Sequence, residues 1–175
     1  MALREILHYP DPLLKQKSLP VTEFNAELKQ LADDMVETMY AAPGVGLAAP
    51  QVGALQRLII LDCSGSDEPN DLLVAVNPEI IAGDGDSLEE EGCLSVPGYW
   101  ANVKRRSTAT LRYQDTDGNV HERAAEGLLA IGMQHEIDHL EGILFVDRLS
   151  PLKRSIFRKK YMKMLKEKEA ENASA

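Results

Sequence analysis

The residues His135-Glu136-Ile137-Asp138-His139 are the part of the chain best suited to metal chemistry. Successive residues of an α-helix are rotated by about 100°, so the two histidines lie only about 40° apart, one turn above the other. Both imidazoles can then reach one divalent cation, and Glu136 supplies a carboxylate that can act as a general base. The alternative is a solvated polar helix that contains two histidines by chance. The spacing favours a catalytic metal helix.

Two histidines leave such a site one ligand short, because catalytic sites usually have three protein ligands and a water molecule. The chain after His139 is short and basic, and position 145, where one metalloprotease class has a third histidine, is Phe145. Cys93 lies in a glycine-flanked acidic segment, and a thiolate there would complete a Cys/His/His set. A small buried core residue is the alternative for a free cysteine, and we assign Cys63 to that role.

The hydrophobic pattern predicts helices and short strands around the motif. Residues 25–40 predict an amphipathic helix, 57–62 and 72–77 buried strands, and 101–103, 109–113 and 119–123 shorter strands, with a hairpin turn at 115–118. The motif helix is expected over residues 126–140, stopped by Gly142 and buried nearly all round. Ser150 and Pro151 then begin a last helix.

Composition indicates one soluble domain, because 44% of the 175 residues are apolar. Two cysteines do not make a disulfide framework, charge interrupts the N-terminal residues where a signal peptide would be apolar, and no apolar run approaches the ~20 residues of a membrane helix. We therefore expect a cytoplasmic protein. The net charge of -9 combines -15 over residues 1–147 with +6 from Arg148 onward, so an anionic partner would meet the basic end.

Three segments together resemble the peptide deformylase family, in the bacterial type that ends in a helix. They are Gly44–Gln51, Glu91–Ser95 and Gln134–His139, and their order and spacing also match. The resemblance implies an α+β fold, with short antiparallel sheets packed around a central buried helix that carries the motif, and with an N-terminal and a C-terminal helix. It also implies a single catalytic domain over residues 1–168, followed by a polar tail, 169–175, that we expect to fray.

The resemblance implies a role for each motif residue. The expected metal ligands are Cys93, His135 and His139, with a water molecule at the fourth position. Glu136 would move a proton from that water to the leaving amine, and the Gln51 side-chain amide and the Leu94 backbone N–H would stabilise the oxyanion. Fe²⁺, one ion per chain, is the cofactor that the family implies. Zn²⁺ fits the same ligands, and Ni²⁺ or Co²⁺ can substitute.

The implied substrate is the N-formyl-methionine of a newly synthesised polypeptide, from which formate is released. The unbranched methionine side chain would enter a slot beside the metal, and the residues that can line this slot are Val45, Leu128, Ile131 and Gly132. Backbone groups near Val45, Gly46 and Gly92 could pair with the extended peptide as an added strand.

The expected partners are the nascent peptide and, through the basic last helix, the ribosome. We expect a monomer, without DNA or a membrane as partner. One alternative is a different metal-dependent amidase or aminopeptidase that uses the same helix. A non-enzymatic structural zinc module is a second alternative, and it is disfavoured because Glu136 would have no task there and only three ligands are evident.

Overall fold

The computed structural model describes residues 2–174 and has the histidine motif on a central helix. The helices are α1 (Ala26–Ala41), α2 (Gly127–Leu140) and α3 (Pro151–Ser174), and three 3-10 turns lie at Pro12–Lys15, Ala49–Val52 and Phe145–Arg148. The strands are β1 (Gly46–Ala48), β2 (Leu58–Leu61), β3 (Leu73–Asp84), β4 (Ser87–Cys93), β5 (Val96–Arg105), β6 (Thr108–Gln114) and β7 (Val120–Glu126).

The strands form two separate antiparallel sheets. Five of them pair in the order β1-β2-β3-β6-β7, and β4 pairs with β5. The predicted hairpin turn between β6 and β7 is present, because Asp115 accepts hydrogen bonds from the backbone N–H groups of Asp117 and Asn119. The described strands do not close into a barrel. The predicted α+β class is therefore confirmed.

Strand β2 lies between the first two helices, and both of its faces are buried. Successive side chains of a strand point to opposite faces, so Leu58 and Ile60 pack with α1 while Ile59 and Leu61 pack with α2. An unbroken apolar run is what a strand covered on both faces needs. Burial against β2 therefore places the motif helix at the centre of the fold.

The glycine predicted to stop the motif helix does so. Gly142 follows α2 with a φ of 75°, a left-handed conformation that favours glycine. The backbone of Lys15 passes close to it, and a β-carbon on Gly142 would lie 2.3 Å from the Lys15 carbonyl oxygen. Glycine is therefore needed here for both the turn and the close approach of the two segments.

The second sheet and the start of α3 share a separate apolar cluster. Phe157 and Tyr161 of α3 are each 2% exposed and contact Tyr9 edge to face, with ring centroids 5.3 and 5.6 Å apart. They pack with Val96 and Val103 of β5. The first half of α3 is thus anchored in the body of the protein.

Several boundaries differ from the sequence predictions. Strands β1 and β4 were not predicted, because β1 is three residues long and β4 carries three consecutive glutamates. The expectation that the motif helix is buried nearly all round is wrong for its first turn, where Leu128 is 55% exposed. The backbone stays helical to Ser174 across the tail that we expected to fray, and Ala175 lies outside the described residues. A single catalytic domain over residues 1–168 stays a prediction.

Within residues 2–174, no helix combines the length and the apolar character that crossing a membrane requires.

Candidate active site and metal centre

Three side chains from two elements come together as a possible metal site. Cys93 ends β4, while His135 and His139 lie one turn apart on α2, and their ligand atoms all lie within 4.8 Å of one another. The Sγ atom of Cys93 lies 3.4 Å from Nε2 of His139, and the two imidazole rings meet edge to face at 5.1 Å. One thiolate and two imidazoles suit a transition metal such as Fe²⁺ or Zn²⁺.

Glu91 orients the first histidine. Its carboxylate lies 2.8 Å from Nδ1 of His135, whose N–H donates to it, so Nε2 of that ring is left for the metal. Arg105 donates two further hydrogen bonds to Glu91, at 2.9 and 3.0 Å, and both side chains are buried. Burial alone would raise the pKa of Glu91, but the hydrogen bonds from His135 and Arg105 lower it. Glu91 is therefore an anion that fixes the tautomer of His135.

A second carboxylate extends this chain of charges towards the surface. Asp138 accepts a hydrogen bond of 2.6 Å from Arg105 and two from Arg148, at 2.7 and 3.0 Å. The Arg105 side chain is only 4% exposed, whereas that of Arg148 is 47% exposed. Two buried carboxylates are thus balanced by two guanidinium groups, and the series runs His135–Glu91–Arg105–Asp138–Arg148.

The two histidines respond to this environment in opposite directions. Burial and the neighbouring His135 lower the pKa of His139. Burial would also lower the pKa of His135, but the charge of Glu136 and the hydrogen bonds to Cys93 and Glu91 raise it well above its usual value. The surroundings of His135 therefore favour positive charge, which a bound divalent cation would also supply.

Glu136 presents a buried carboxylate to the ligands. It is 3% exposed, and its Oε1 atom lies 3.9 Å from Nε2 of His139 and has no hydrogen-bond partner among the described residues. Burial raises the pKa of Glu136 to about 7, against the lowering effect of His135. Gly46 makes room for it, because a β-carbon there would lie 2.6 Å from Oε2 of Glu136. This geometry suits a general base that exchanges a proton near neutral pH.

The Gln51 side chain is held at both ends of its amide. Its Oε1 accepts a hydrogen bond of 2.9 Å from the backbone N–H of Ala48, and its Nε2 donates to Oγ of Ser95 at 3.0 Å. The same Nε2 lies 3.6 Å from Sγ of Cys93. Leu94 directly follows Cys93 at the end of β4. Both expected oxyanion donors therefore lie beside the possible metal ligands.

Two of the expected substrate-binding residues, Gly46 and Gly132, both lie against the side chain of Leu61. A β-carbon on Gly46 would lie 2.7 Å from Cδ2 of Leu61, and one on Gly132 would lie 3.0 Å from the same atom. Ile131 is 8% exposed and lies about one turn before His135 on α2. These three residues are next to the cluster.

The remaining residues that we expected to bind substrate are more exposed. Val45 is 50% exposed just before β1, and Leu128 is 55% exposed at the start of α2, two turns before His135. Gly92 is half-buried beneath the indole of Trp100, where a β-carbon would lie 2.5 Å from Nε1.

Three further residues, for which the sequence predicted no role, lie around the possible ligands. Phe145 stacks on the ring of His135 with centroids 6.1 Å apart, Ser95 accepts from Gln51, and Arg105 holds Glu91. A signal existed only for Arg105, which shares the buried face of β5 with Val103, two residues earlier. A cation on the inward face of a strand is rare unless it is paired.

Comparison with known proteins identifies the family of the chain. A family model described as Polypeptide deformylase matches residues 3–155. The chain belongs to the polypeptide deformylase family. It is 51% identical over 161 residues to a peptide deformylase of Thermodesulfovibrio yellowstonii, covering 92% of this chain and 98% of that protein. A second relative, a peptide deformylase from Syntrophobacter fumaroxidans, is 52% identical over 167 residues. The alignment covers 95% of this chain and 98% of that protein.

The fold also matches solved polypeptide deformylases. A crystal structure of a peptide deformylase from Legionella pneumophila superimposes with a TM-score of 0.88 at 46% identity, covering 96% of this chain and 98% of that one. Members of the family are metalloenzymes that remove N-formyl groups from nascent polypeptides. The predicted family and enzymatic activity are therefore confirmed.

Substitution of Arg105 by Gln tests the buried charge chain. It leaves the carboxylates of Glu91 and Asp138 without their shared buried cation, so we expect the free energy of unfolding to fall by about 3 kcal/mol or more. Because His135 loses a fixed partner for its Nδ1, metal affinity should also fall, by about 10–100-fold. Urea unfolding and metal content after dialysis against a chelator measure the two effects.

The matched control is Arg112→Gln, because Arg112 pairs with Glu122 where both side chains are about half exposed. Neither stability nor metal affinity should change measurably in this control. An Arg105→Gln protein that is folded and holds metal as tightly as the unchanged chain would show that Arg105 does not support the ligands.

Proposed function

We propose that Cys93, His135 and His139 hold the catalytic metal ion and that Glu136 is the general base that hydrolyses N-formyl-methionyl peptides. The observation that carries this proposal is the buried Oε1 atom of Glu136, which has no hydrogen-bond partner among residues 2–174 and lies 3.9 Å from Nε2 of His139, one of the three possible ligands. A divalent ion bound there would polarise the formyl carbonyl and lower the pKa of a water molecule. Burial raises the pKa of Glu136, which makes its carboxylate a stronger base than that of an exposed glutamate.

The proton path follows from the position of Glu136. Its carboxylate takes a proton from the attacking water as the oxygen of that water bonds to the formyl carbon. The bond between the formyl carbon and the methionine nitrogen then breaks, and Glu136 gives the proton to the leaving amine. Formate and a free N-terminus are the products.

Gln51 and Leu94 stabilise the negative oxygen that develops on the formyl carbon. The Gln51 amide cannot rotate freely, because Ala48 and Ser95 hold its two ends. Its Nε2–H groups therefore point to the Cys93 side of the site, and the Leu94 backbone N–H is the second donor. Donors fixed before the reaction stabilise a developing charge without reorganising during it.

The substrate peptide lies between the two sheets as an added strand. β1 is at the edge of the five-stranded sheet, and β4 pairs only with β5 among the described strands. Backbone groups of Val45, Gly46 and Gly92 bind the peptide, because an extended chain can pair with an exposed strand edge. The methionine side chain enters the slot beside the ligands, which we assign to Val45, Leu128, Ile131 and Gly132.

We propose Fe²⁺ as the ion, one per chain. The thiolate donates more charge than a third imidazole would, and Cys/His/His ligands also accept Zn²⁺, Ni²⁺ or Co²⁺. Metal analysis of protein purified without air, with activity measured on the same sample, tests this choice. We expect iron to be the most abundant metal in the active protein.

Substitution of Glu136 by Ala should lower deformylation of formyl-Met-Ala-Ser by at least ~10²-fold while metal content stays near one per chain, because only the base is lost. Glu122→Ala is the control, because Glu122 is exposed on β7. Normal turnover in Glu136→Ala would remove Glu136 from the mechanism. The unchanged chain should not cleave unblocked Met-Ala-Ser, and faster cleavage of that peptide would favour an aminopeptidase.

Substitution of Cys93 by Ser should sharply reduce metal retention, since a serine hydroxyl is much harder to ionise than a thiol. Cys63→Ser is the matched control because Cys63 is the other free cysteine and is not one of the clustered donors. It should keep the metal and lose only some stability. Metal content by atomic absorption and thermal unfolding compare the two variants. Equal metal retention would place the third ligand elsewhere.

We further propose that the protein is a cytoplasmic monomer. We also propose that α3 binds the phosphates of ribosomal RNA and so holds the enzyme near the ribosome. Phe157 and Tyr161 turn the apolar side of the helix inward. Exposed cations on this part of α3 include Arg158, Lys159, Lys160, Lys163 and Lys166. Such a surface binds RNA by counterion release and therefore depends strongly on salt.

Replacing Lys159, Lys160 and Lys163 by Gln should weaken ribosome co-sedimentation at low salt by about tenfold or more, without changing activity on free formyl-Met-Ala-Ser. Deletion of α3 is a poorer test because it removes the buried Phe157 and Tyr161. The control, with the same loss of charge, replaces the exposed Lys17, Lys29 and Lys104 by Gln. Equal co-sedimentation of both triple variants would leave α3 as a folding element.

A further inference from the structure

A buried carboxylate at the end of β2 is bound by a tyrosine at the end of α1. The hydroxyl of Tyr40 donates a 2.5 Å hydrogen bond to Oδ2 of Asp62. Asp62 is 6% exposed, and its other oxygen accepts from the Ser64 backbone N–H, the Ser64 hydroxyl and the Asp71 backbone N–H, at 3.1, 2.6 and 3.2 Å. Four donors on one carboxylate make Asp62 a fixed point of the structure.

The same residue holds the loop that joins α1 to β1. The backbone N–H of Asp62 donates a 2.8 Å hydrogen bond to the carbonyl of Val45, just before Gly46 pairs with Leu61. Tyr40 and Asp62 therefore close the loop 41–45 from both ends. At the start of the loop, the N–H of Gly44 donates to the carbonyl of Met39 at 2.8 Å.

The loop also contacts the proposed oxyanion donor. A β-carbon on Gly44 would lie 2.7 Å from Cδ1 of Leu94, so the backbone of the loop lies directly against that side chain. A shift of the loop would move Val45, Gly46 and the packing of Leu94 together.

The thiol of Cys63 is influenced both by this network and by the site. Burial, together with the negative charges of Glu136 and Asp62, raises its pKa to about 11. The hydrogen bond that Tyr40 donates to Asp62, together with burial, raises the pKa of Tyr40 to about 12. The hydrogen bonds that Ser64 and Tyr40 donate to Asp62 overcome the effect of burial and lower the pKa of Asp62 to about 2. The hydroxyl and the carboxylate thus stay paired throughout the neutral range.

We propose that Tyr40 and Asp62 are positioning residues that hold the loop 41–45 in the conformation that binds the formyl-peptide. This role rests on the proposed placement of Val45 and Gly46 at the substrate. The two residues touch neither the metal ligands nor Glu136 through any hydrogen bond described above. Their loss should therefore weaken substrate binding and leave the chemical step nearly unchanged.

Substitution of Tyr40 by Phe tests this role because it removes one hydroxyl and keeps the ring. We expect the KM for formyl-Met-Ala-Ser to rise about 3–10-fold with kcat within about twofold and metal content unchanged. Hydrogen exchange of the Gly44 and Asp62 amides should become faster by a similar or larger factor, because the loop opens more often. Asp62→Asn should have the same effects. If Asp62→Asn does not fold, the result for Tyr40→Phe alone decides the test.

The control is Tyr99→Phe, which removes a hydroxyl from a tyrosine that packs against Phe157, away from the loop. It should keep the KM and the amide exchange of the unchanged chain. A Tyr40→Phe protein that loses thermal stability but keeps its KM would make the pair purely structural and overturn the proposal, as would a fall in kcat at constant KM. Deformylation by the unchanged chain and by Tyr99→Phe would show that the proposed function holds in either case.

Discussion

The pairing of Arg105 with two buried carboxylates is the interaction on which the metal site depends. β4 and β5 form a sheet separate from the one that packs against α2, and Cys93 at the end of β4 must still meet two histidines of α2. Arg105 joins the two parts, because it donates to Glu91 of β4 and to Asp138 of α2. Charges at these depths are tolerated only when each has a partner, so the arrangement permits little movement of one part against the other.

The same burial explains the raised pKa of Glu136. A buried carboxylate is costly as an anion, and the pKa of Glu136 rises to about 7. Glu91 is also buried, but its pKa is lowered because His135 and Arg105 donate hydrogen bonds to it. The two buried glutamates therefore differ in charge: Glu91 stays ionised and orients His135, whereas Glu136 has a raised pKa.

A second set of contacts holds the loop before β1. The backbone N–H of Asp62 donates to the carbonyl of Val45, next to the edge strand of the five-stranded sheet. This network and the Arg105 network share no residue, so the loop and the surroundings of the possible metal ligands can be altered separately. The apolar cluster under α3 is a third unit, which leaves the cationic face of that helix exposed.

The sequence alone was sufficient for the parts of the protein that depend on local spacing. Helical periodicity placed the histidines on one face, Gly142 ended that helix, and the three motif segments indicated the family and the α+β fold. It did not indicate strand β4, the role of Arg105 or the link between Tyr40 and Asp62. Arg105 is 14 residues from Glu91 and 33 from Asp138, and Tyr40 is 22 residues from Asp62. The neighbouring sequence therefore does not show which residues pair. Only the tertiary structure decides such contacts, because burial first brings distant charges together and then makes their pairing obligatory.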